Sequence, residues 1–486
     1  MRIRTIVEVR VTSEDPMRLG RDRGQVLDHA AALVKEAWRS FDEARDIEPA
    51  MDELARSVLA LPLPEQPVEP TVALDEVTHV MDRALAQSRP RYLAYIGSSG
   101  LEIGAVGDLI AASYDVNLAV DARAASRLEE QTASWLAEFL RYPATGGWFT
   151  SGGTVSNLSG LAAARERALP GSRTEGMFGR PSALYCSAEA HYSVRRAAEL
   201  LGLGAASVRA IPVHATTRRM RVDLLREAVE KDLVDGVVPV AVVGTGGTTL
   251  TGAVDPLDAI ADVCEEHGIW LHVDGAYGLP AAATSRAKHF AGLERADSVA
   301  VDAHKWLFVP KACSAVLTRD PEAFGSVFSH DEAYMPHEGM TLNAVDLTLE
   351  YSRPLRALKL WLAFRVHGAG EFRLALERNL EQAQLCYELA AESPDFQVMD
   401  LPPSLSVVPV RHLVPGCPDP DVHNSLLAQL LQEDGRVYIS PADIDGHQWL
   451  RPCFTNVRTH NGDVEVFLDV VRQIGVRMCP AHGSAA

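Results

Sequence analysis

No run in this 486-residue chain is apolar for long enough to span a bilayer, which excludes a membrane-embedded helix. Paired metal-type cysteines are missing too. The seven cysteines (Cys186, Cys264, Cys313, Cys386, Cys417, Cys453, Cys479) form no C-x-x-C, so neither a zinc ribbon nor a dithiol motif is present. Their odd number and scatter fit reduced thiols. The histidines lack the H-E-x-x-H spacing of a zinc hydrolase, and no metal is expected. Positive charge is short: 46 Lys and Arg stand against 65 Asp and Glu, for a net charge of −19. Nucleic acids and anionic membranes call for the opposite balance, so neither is an expected partner. The opening "MRIRTIVEVRVTSEDP" breaks its apolar residues with Glu8 and Arg10 and lacks the continuous core of a secretion signal. Together with the thiols, this leads us to expect a cytoplasmic protein. There is no internal repeat and no low-complexity tract.

What is present is ordinary globular composition, 47% hydrophobic and 23% charged, in a chain long enough for a large core and more than one domain. "GQVLDHAAALVKEAWRSF" has apolar residues at helical spacing, and "ALPLPEQPVEP" is a connector that no helix can continue through. In "LEEQTASWLAEFLRYP" Trp135, Leu136, Phe139 and Leu140 share one helical face. From there short β-rich runs ("SALYCSAEA", "ASVRAIPV", "VPVAVVGTGG", "GIWLHVDGAYG", "DSVAVDAHKW") alternate with helical ones ("HYSVRRAAELLG", "DPLDAIADVCEEHG"). That alternation predicts an α/β fold with a mainly parallel sheet covered by helices on both faces. After about residue 356, "LRALKLWLAFRVHGAGEFRLALERNLEQAQLCYELAAE" reads as one long helix, followed by β-like "FQVMDLPPSLSVVPVRH" and the helix "GDVEVFLDVVRQIG". The expected division is a helical N-terminal segment over 1–100, a large domain over 101–365 and a smaller α/β domain over 366–486.

In an open α/β sheet ligands collect at the C-terminal ends of the strands. Five polar features stand there. "TSGGTVSNL" puts a Gly152-Gly153-Thr154 turn at the start of a helix, an anion site suited to phosphate; alone it also fits any capped helix start. "GTGGTTLTG" ends a strand in glycines and threonines, and alone reads as a connecting loop. "GIWLHVDGAYG" ends a buried strand in Asp274, whose carboxylate needs a partner, and "AEAHYSVRRA" sets His191 at a helix start. Last, "SVAVDAHKWLFVPKACSAVL" buries Lys305 between two apolar runs, which is costly for an ammonium unless it is paired, neutralised or covalently used. Pyridoxal 5'-phosphate calls for this whole set. Its phosphate needs the cradle, its pyridinium nitrogen a carboxylate, its ring a flat cover and its aldehyde a lysine.

These motifs resemble those of the pyridoxal-phosphate-dependent group II amino acid decarboxylases, of the aromatic-L-amino-acid decarboxylase kind, over roughly Arg89 to Arg458. "DAHKWL" is similar to the family's N/D-x-H-K-W signature, "HVDGAYG" to its H-V-D-A/G-A-Y, "TSGGTVSNL" to its phosphate loop and "AHYSVRRA" to its H-x-S segment. The resemblance implies the fold type I architecture, with a mainly parallel seven-stranded sheet, and a homodimer. It implies a Schiff base on Lys305, with His304 near the phosphate or the substrate carboxylate. Asp274 pairs with the pyridine nitrogen, Ala276 lies under the ring and His191 stacks on its other face. Gly153 and Thr154 hold the phosphate, and Thr249 touches the ring side or the substrate. Tyr334 in "HDEAYMPH" resembles the catalytic tyrosine of the family's mobile loop, and Arg458 in "TNVRT" a C-terminal-domain arginine. Tyr95 and Leu118 occupy pocket-lining positions.

The chain departs from the aromatic-amino-acid enzymes at Gln87, Ile96 and Leu118, where those have aromatic residues. This thinning favours a differently shaped or more polar amino acid. The expected reaction is decarboxylation to the amine. The rival outcome on the same cofactor is decarboxylation coupled to oxidative deamination, giving an aldehyde; transamination and β-elimination are more distant rivals. A non-catalytic relative is disfavoured by the intact Lys305, Asp274 and His191.

Overall fold

A computed structural model describes residues 19, 22–42, 51–97, 99–177, 179–330 and 344–478. The chain divides into two compact units, 1–86 and 87–486. The first holds three helices, α1 (Arg23–Asp42), α2 (Glu53–Leu59) and α3 (Pro70–Met81). Asp52 caps α2 through the Ala55 N–H and also holds His79 and Arg83. The "LPLPEQ" segment separates α2 from α3, and Pro70 opens α3 at a position where its missing N–H costs nothing.

In the second unit α4 (Glu102–Tyr114) and α5 (Ala124–Leu140) precede a seven-stranded sheet. Its strands are β1 (Gly146–Thr150), β2 (Ser182–Ser187), β3 (Val208–Ile211), β4 (Val238–Thr245), β5 (Trp270–Asp274), β6 (Ser298–Asp302) and β7 (Ser314–Thr318). They lie in the order β1-β7-β6-β5-β4-β2-β3, and only β7 runs against its neighbours. The crossovers carry α6 (Gly153–Ala168), α7 (Ser172–Glu175), α8 (Ser193–Leu200), α9 (Val222–Val234) and α10 (Leu257–His267). Successive strand residues face opposite sides of a sheet, and both sides here are apolar. Trp148, Leu184, Val243, Trp270 and Val316 pack with α6 and α8, while Phe149, Tyr185, Val242, Leu271 and Leu317 pack with α5, α9 and α10. This is the expected mainly parallel α/β architecture.

After α11 (Pro321–Phe328) the chain runs into α12 (Ala357–Ala391). The sequence reads as one continuous helix here, but Gly368 breaks it with φ +77° and ψ 151°, a conformation open to glycine. A four-stranded antiparallel sheet follows, ordered β10-β11-β9-β8, from β8 (Phe396–Val398), β9 (Val410–His412), β10 (Pro441–Ile444) and β11 (His447–Leu450). It packs with α13 (Pro420–Asp434) and α14 (Asn461–Met478) around Phe396, Leu427, Leu431, Leu450, Phe467 and Val471.

Candidate active site

The site forms where the parallel strands β4, β5 and β6 of the large sheet end together. Strand pairing sets Thr245 of β4 opposite Asp274 of β5, and Asp274 opposite Ala300 of β6, two residues before Asp302. The chain then turns, with the Lys305 N–H donating to the Asp302 carbonyl at 3.0 Å. These ends line a cavity of about 400 Å³. It brings together Gly153, Thr154, His191, Thr249, Asp274, Ala276, His304 and Lys305, all expected from the sequence, along with Tyr95 and Ile96.

Asp274 is buried. Its Oδ2 accepts from Asn157 Nδ2 at 3.0 Å and its Oδ1 from the Ala276 N–H at 3.2 Å. Lys305 Nζ lies 3.0 Å from Asp302 Oδ2. Burial pulls the ammonium down, but the Asp302 and Asp274 carboxylates outweigh it and leave the pKa above the ordinary lysine value. Burial is also the main reason that His191 and His304 lie below the ordinary histidine value. The His304 ring is pinned through Nδ1 against the backbone of Cys313. Tyr95 holds φ +52° and exposes its side chain at the cavity rim.

Two expected substrate residues lie elsewhere. Leu118 is completely buried in the main core and does not line the cavity. Arg458 reaches the Ser99 carbonyl at 2.8 Å and Glu102 at 2.9 Å, away from the lining. Tyr334 falls outside the described residues. Lining residues outside the expected set include Asn157, Ser193, Thr245, Asp302 and Arg451. Thr245 was signalled by its place as the last residue of β4; Arg451 carried no such signal.

The groups present fit pyridoxal phosphate. Thr245 Oγ1 and Asp302 Oδ1 are buried without a hydrogen-bond partner, and both residues face the cavity. Gly153 stands at the N-terminus of α6, where a Cβ would come within 2.9 Å of Asp302 Oδ2 and 3.0 Å of the Ala276 Cβ. Its bare backbone and the α6 N-terminus make an anion cradle that a side chain would fill. Lysine, buried carboxylate and flat imidazole stand around the same space.

Known proteins carry the same signature. The profile described as "Pyridoxal-dependent decarboxylase conserved domain" matches residues 56–411. The chain is 29% identical over 426 residues to an aromatic-L-amino-acid decarboxylase of Bacillus atrophaeus, covering 84% of this chain and 86% of that one. It is 36% identical over 267 residues to cysteine sulfinic acid decarboxylase of Mus musculus, covering 53% and 52% of the two chains. Its fold superposes on the crystal structure of Oryza sativa TDC with PLP and tryptamine with a TM-score of 0.89 at 25% identity, covering 96% of this chain and 99% of that one. The architecture is thus that of fold type I. The chain belongs to the pyridoxal-dependent decarboxylase family: it is a carboxy-lyase that uses pyridoxal 5'-phosphate to decarboxylate an amino acid.

Proposed function

We propose that the substrate is an L-amino acid with an acidic side chain, that the product is the amine, and that the enzyme works as a cytoplasmic homodimer. The carrying observation is Arg451. Its side chain lines the cavity and the residue is 4% exposed. Its guanidinium donates to the Thr249 carbonyl at 2.8 Å, to Ser440 Oγ at 2.8 Å and to Cys453 Sγ at 3.3 Å. Among the described residues no carboxylate pairs with it. A buried, unpaired guanidinium is expensive and favours an anion beside it. The thinned aromatic lining, with Ile96 at the cavity, points the same way.

In this reading Lys305 holds the cofactor covalently, and Gly153 and Thr154 hold its phosphate, with His304 close by. Asp274 would keep the ring nitrogen protonated, Ala276 and His191 would cover the ring, and Thr245 and Thr249 would lie beside it. When bound, the cofactor supplies the electron sink into which the bond to the departing carboxylate collapses. The protein's part is to hold that carboxylate out of the ring plane, exclude water and return a proton to the α-carbon. Tyr334 returns that proton, with help from His191. Tyr95, at the rim, contacts the substrate.

The test is a panel of L-aspartate, L-glutamate, L-cysteine sulfinate, L-tyrosine, L-tryptophan and L-DOPA, with carbon dioxide, amine, aldehyde and peroxide all measured. An acidic substrate should give the highest kcat/KM, and Arg451→Met should raise its KM by at least ~10-fold. An aromatic substrate ahead by an order of magnitude would overturn the substrate class. Peroxide released in step with carbon dioxide would overturn the amine outcome.

A further inference from the structure

A chain of buried hydrogen bonds leads from the core to both sides of the site. Trp270 Nε1 donates to Ser298 Oγ at 2.9 Å, and Ser298 Oγ lies 2.8 Å from His272 Nδ1. His272 Nε2 lies 2.9 Å from Asn157 Oδ1. The Asn157 amide then forks, with Nδ2 3.0 Å from Asp274 Oδ2 and 2.9 Å from Ser193 Oγ. Ser193 Oγ lies 2.8 Å from His191 Nδ1.

The direction of every proton follows from the two ends. An ionised Asp274 accepts only, so Asn157 must turn its NH₂ to it and its oxygen to His272. His272 therefore donates through Nε2. Burial pushes its pKa down to about 4, so the ring is neutral and Nδ1 is left as an acceptor for the Ser298 hydroxyl. Trp270 can only donate, which agrees with Ser298 passing its own proton onward. On the other branch Ser193 Oγ accepts from Asn157, and because the Ser193 backbone N–H needs a lone pair on His191 Nδ1, the hydroxyl gives its proton to that nitrogen. The Ser193 backbone N–H points at the same nitrogen at 3.3 Å. The space for this relay is reserved by Gly160, where a Cβ would lie 2.7 Å from His272 Nδ1 and 3.0 Å from Ser298 Oγ.

We propose that this one-way relay makes Asn157 and Ser193 positioning residues, which couple the charge on Asp274 to the tautomer of His191 and hold its proton on Nε2. His191 then meets the cavity as a donor, with its acceptor nitrogen occupied. Asp274 and His191 do not need to touch for this. The inference rests on their placement at the cofactor, but it concerns the protein alone and is read without turnover.

The test is the ring-nitrogen NMR spectrum of the full-length apoenzyme, labelled with ¹⁵N histidine, with the His191 signals assigned by their loss in His191→Gln. In the wild type at neutral pH, Nε2 should be pyrrole-type and Nδ1 pyridine-type. Asn157→Asp is nearly isosteric. The new carboxyl has at most one proton at that oxygen, and Asp274 claims it. Ser193 must then donate toward residue 157, and His191 should move its proton to Nδ1. Ser193→Ala is the second variant. It leaves only the 3.3 Å backbone donor, too long to hold the ring alone, and should give mixed tautomers. A wild-type His191 protonated on Nδ1 overturns the proposal. So does an unchanged His191 pattern in either folded variant.

Discussion

A carboxylate at the end of a buried strand persists only if donors surround it. Asp274 has the Asn157 amide and the Ala276 N–H, and they leave one face of the group to the cavity. In the proposed reading, Asp274→Asn keeps the shape and removes the charge that would hold a proton on the cofactor's ring nitrogen. It should retain the cofactor, because Lys305 and the cradle remain, and lose at least ~100-fold in turnover. Cofactor absorbance and carbon dioxide release measured on one sample check both halves; turnover near that of wild type would remove Asp274 from its role. At this scale the motif residues were legible, since "HVDGAYG" and "DAHKWL" carry their chemistry in adjacent letters. Thr249 was chosen within a run holding several threonines, and only strand register puts Thr245 directly opposite Asp274. Arg451 was not legible. It follows β11 of the small sheet, and its meeting with the cavity is made by the tertiary fold. Arg458, expected from the resemblance, is held by Ser99 and Glu102.

Among the elements, α6 does the most for the site. Its N-terminal Gly153 faces Asp302 and Ala276, and its Asn157, one turn on, reaches Asp274. Gly153→Ala should weaken cofactor binding by at least ~10-fold, since the added methyl occupies the cradle while helix propensity improves. Equilibrium dialysis against pyridoxal phosphate, with thermal unfolding as a control for folding, measures this; unchanged affinity would contradict it. Beside the four-stranded sheet His412 of β9 is buried and its Nδ1 lies 3.0 Å from His423 Nε2, with Asp395 and Arg472 near enough to act on its charge. Burial first, then His423, lowers its pKa to about 4. Below the ordinary histidine value the unfolded chain takes up a proton that the native ring refuses. This share of stability is therefore whole above pH ~6.5 and is lost as pH falls toward 4. Between pH 7 and 5 the loss should be roughly 2 kcal/mol greater in wild type than in His412→Asn by urea unfolding. Parallel losses would refute it. Alternating strands and helices made most of this level legible. The reversal of β7 was hidden, because the β6–β7 connection carries the lysine loop in place of a helix. The break at Gly368 had its signal in "HGAG", outweighed by the apolar periodicity on either side.

At the scale of the molecule, the N-terminal unit has more apolar surface than three helices can bury among themselves. Helix α1 buries none of its residues, and Leu27, Leu59, Val72, Val77 and Met81 are exposed. Surface of this kind calls for a partner, and a second copy of the chain is the one the family resemblance implies. Sedimentation should give a dimer at micromolar concentration, and deletion of residues 1–86 should shift it toward monomer; a fully active monomeric wild type would end that reading. The net charge of −19 was legible at once, but charge bears on partners and solubility and says nothing of where chemistry occurs. The central claim is that Lys305, half-buried at the cavity, is the residue that holds the cofactor. Borohydride reduction of the cofactor-loaded enzyme, followed by proteolysis and mass spectrometry, tests it directly. The reduced cofactor should be found on the peptide "DAHKWL" at Lys305, and Lys305→Ala should yield no labelled peptide. Label on Lys311 or any other lysine would contradict the account.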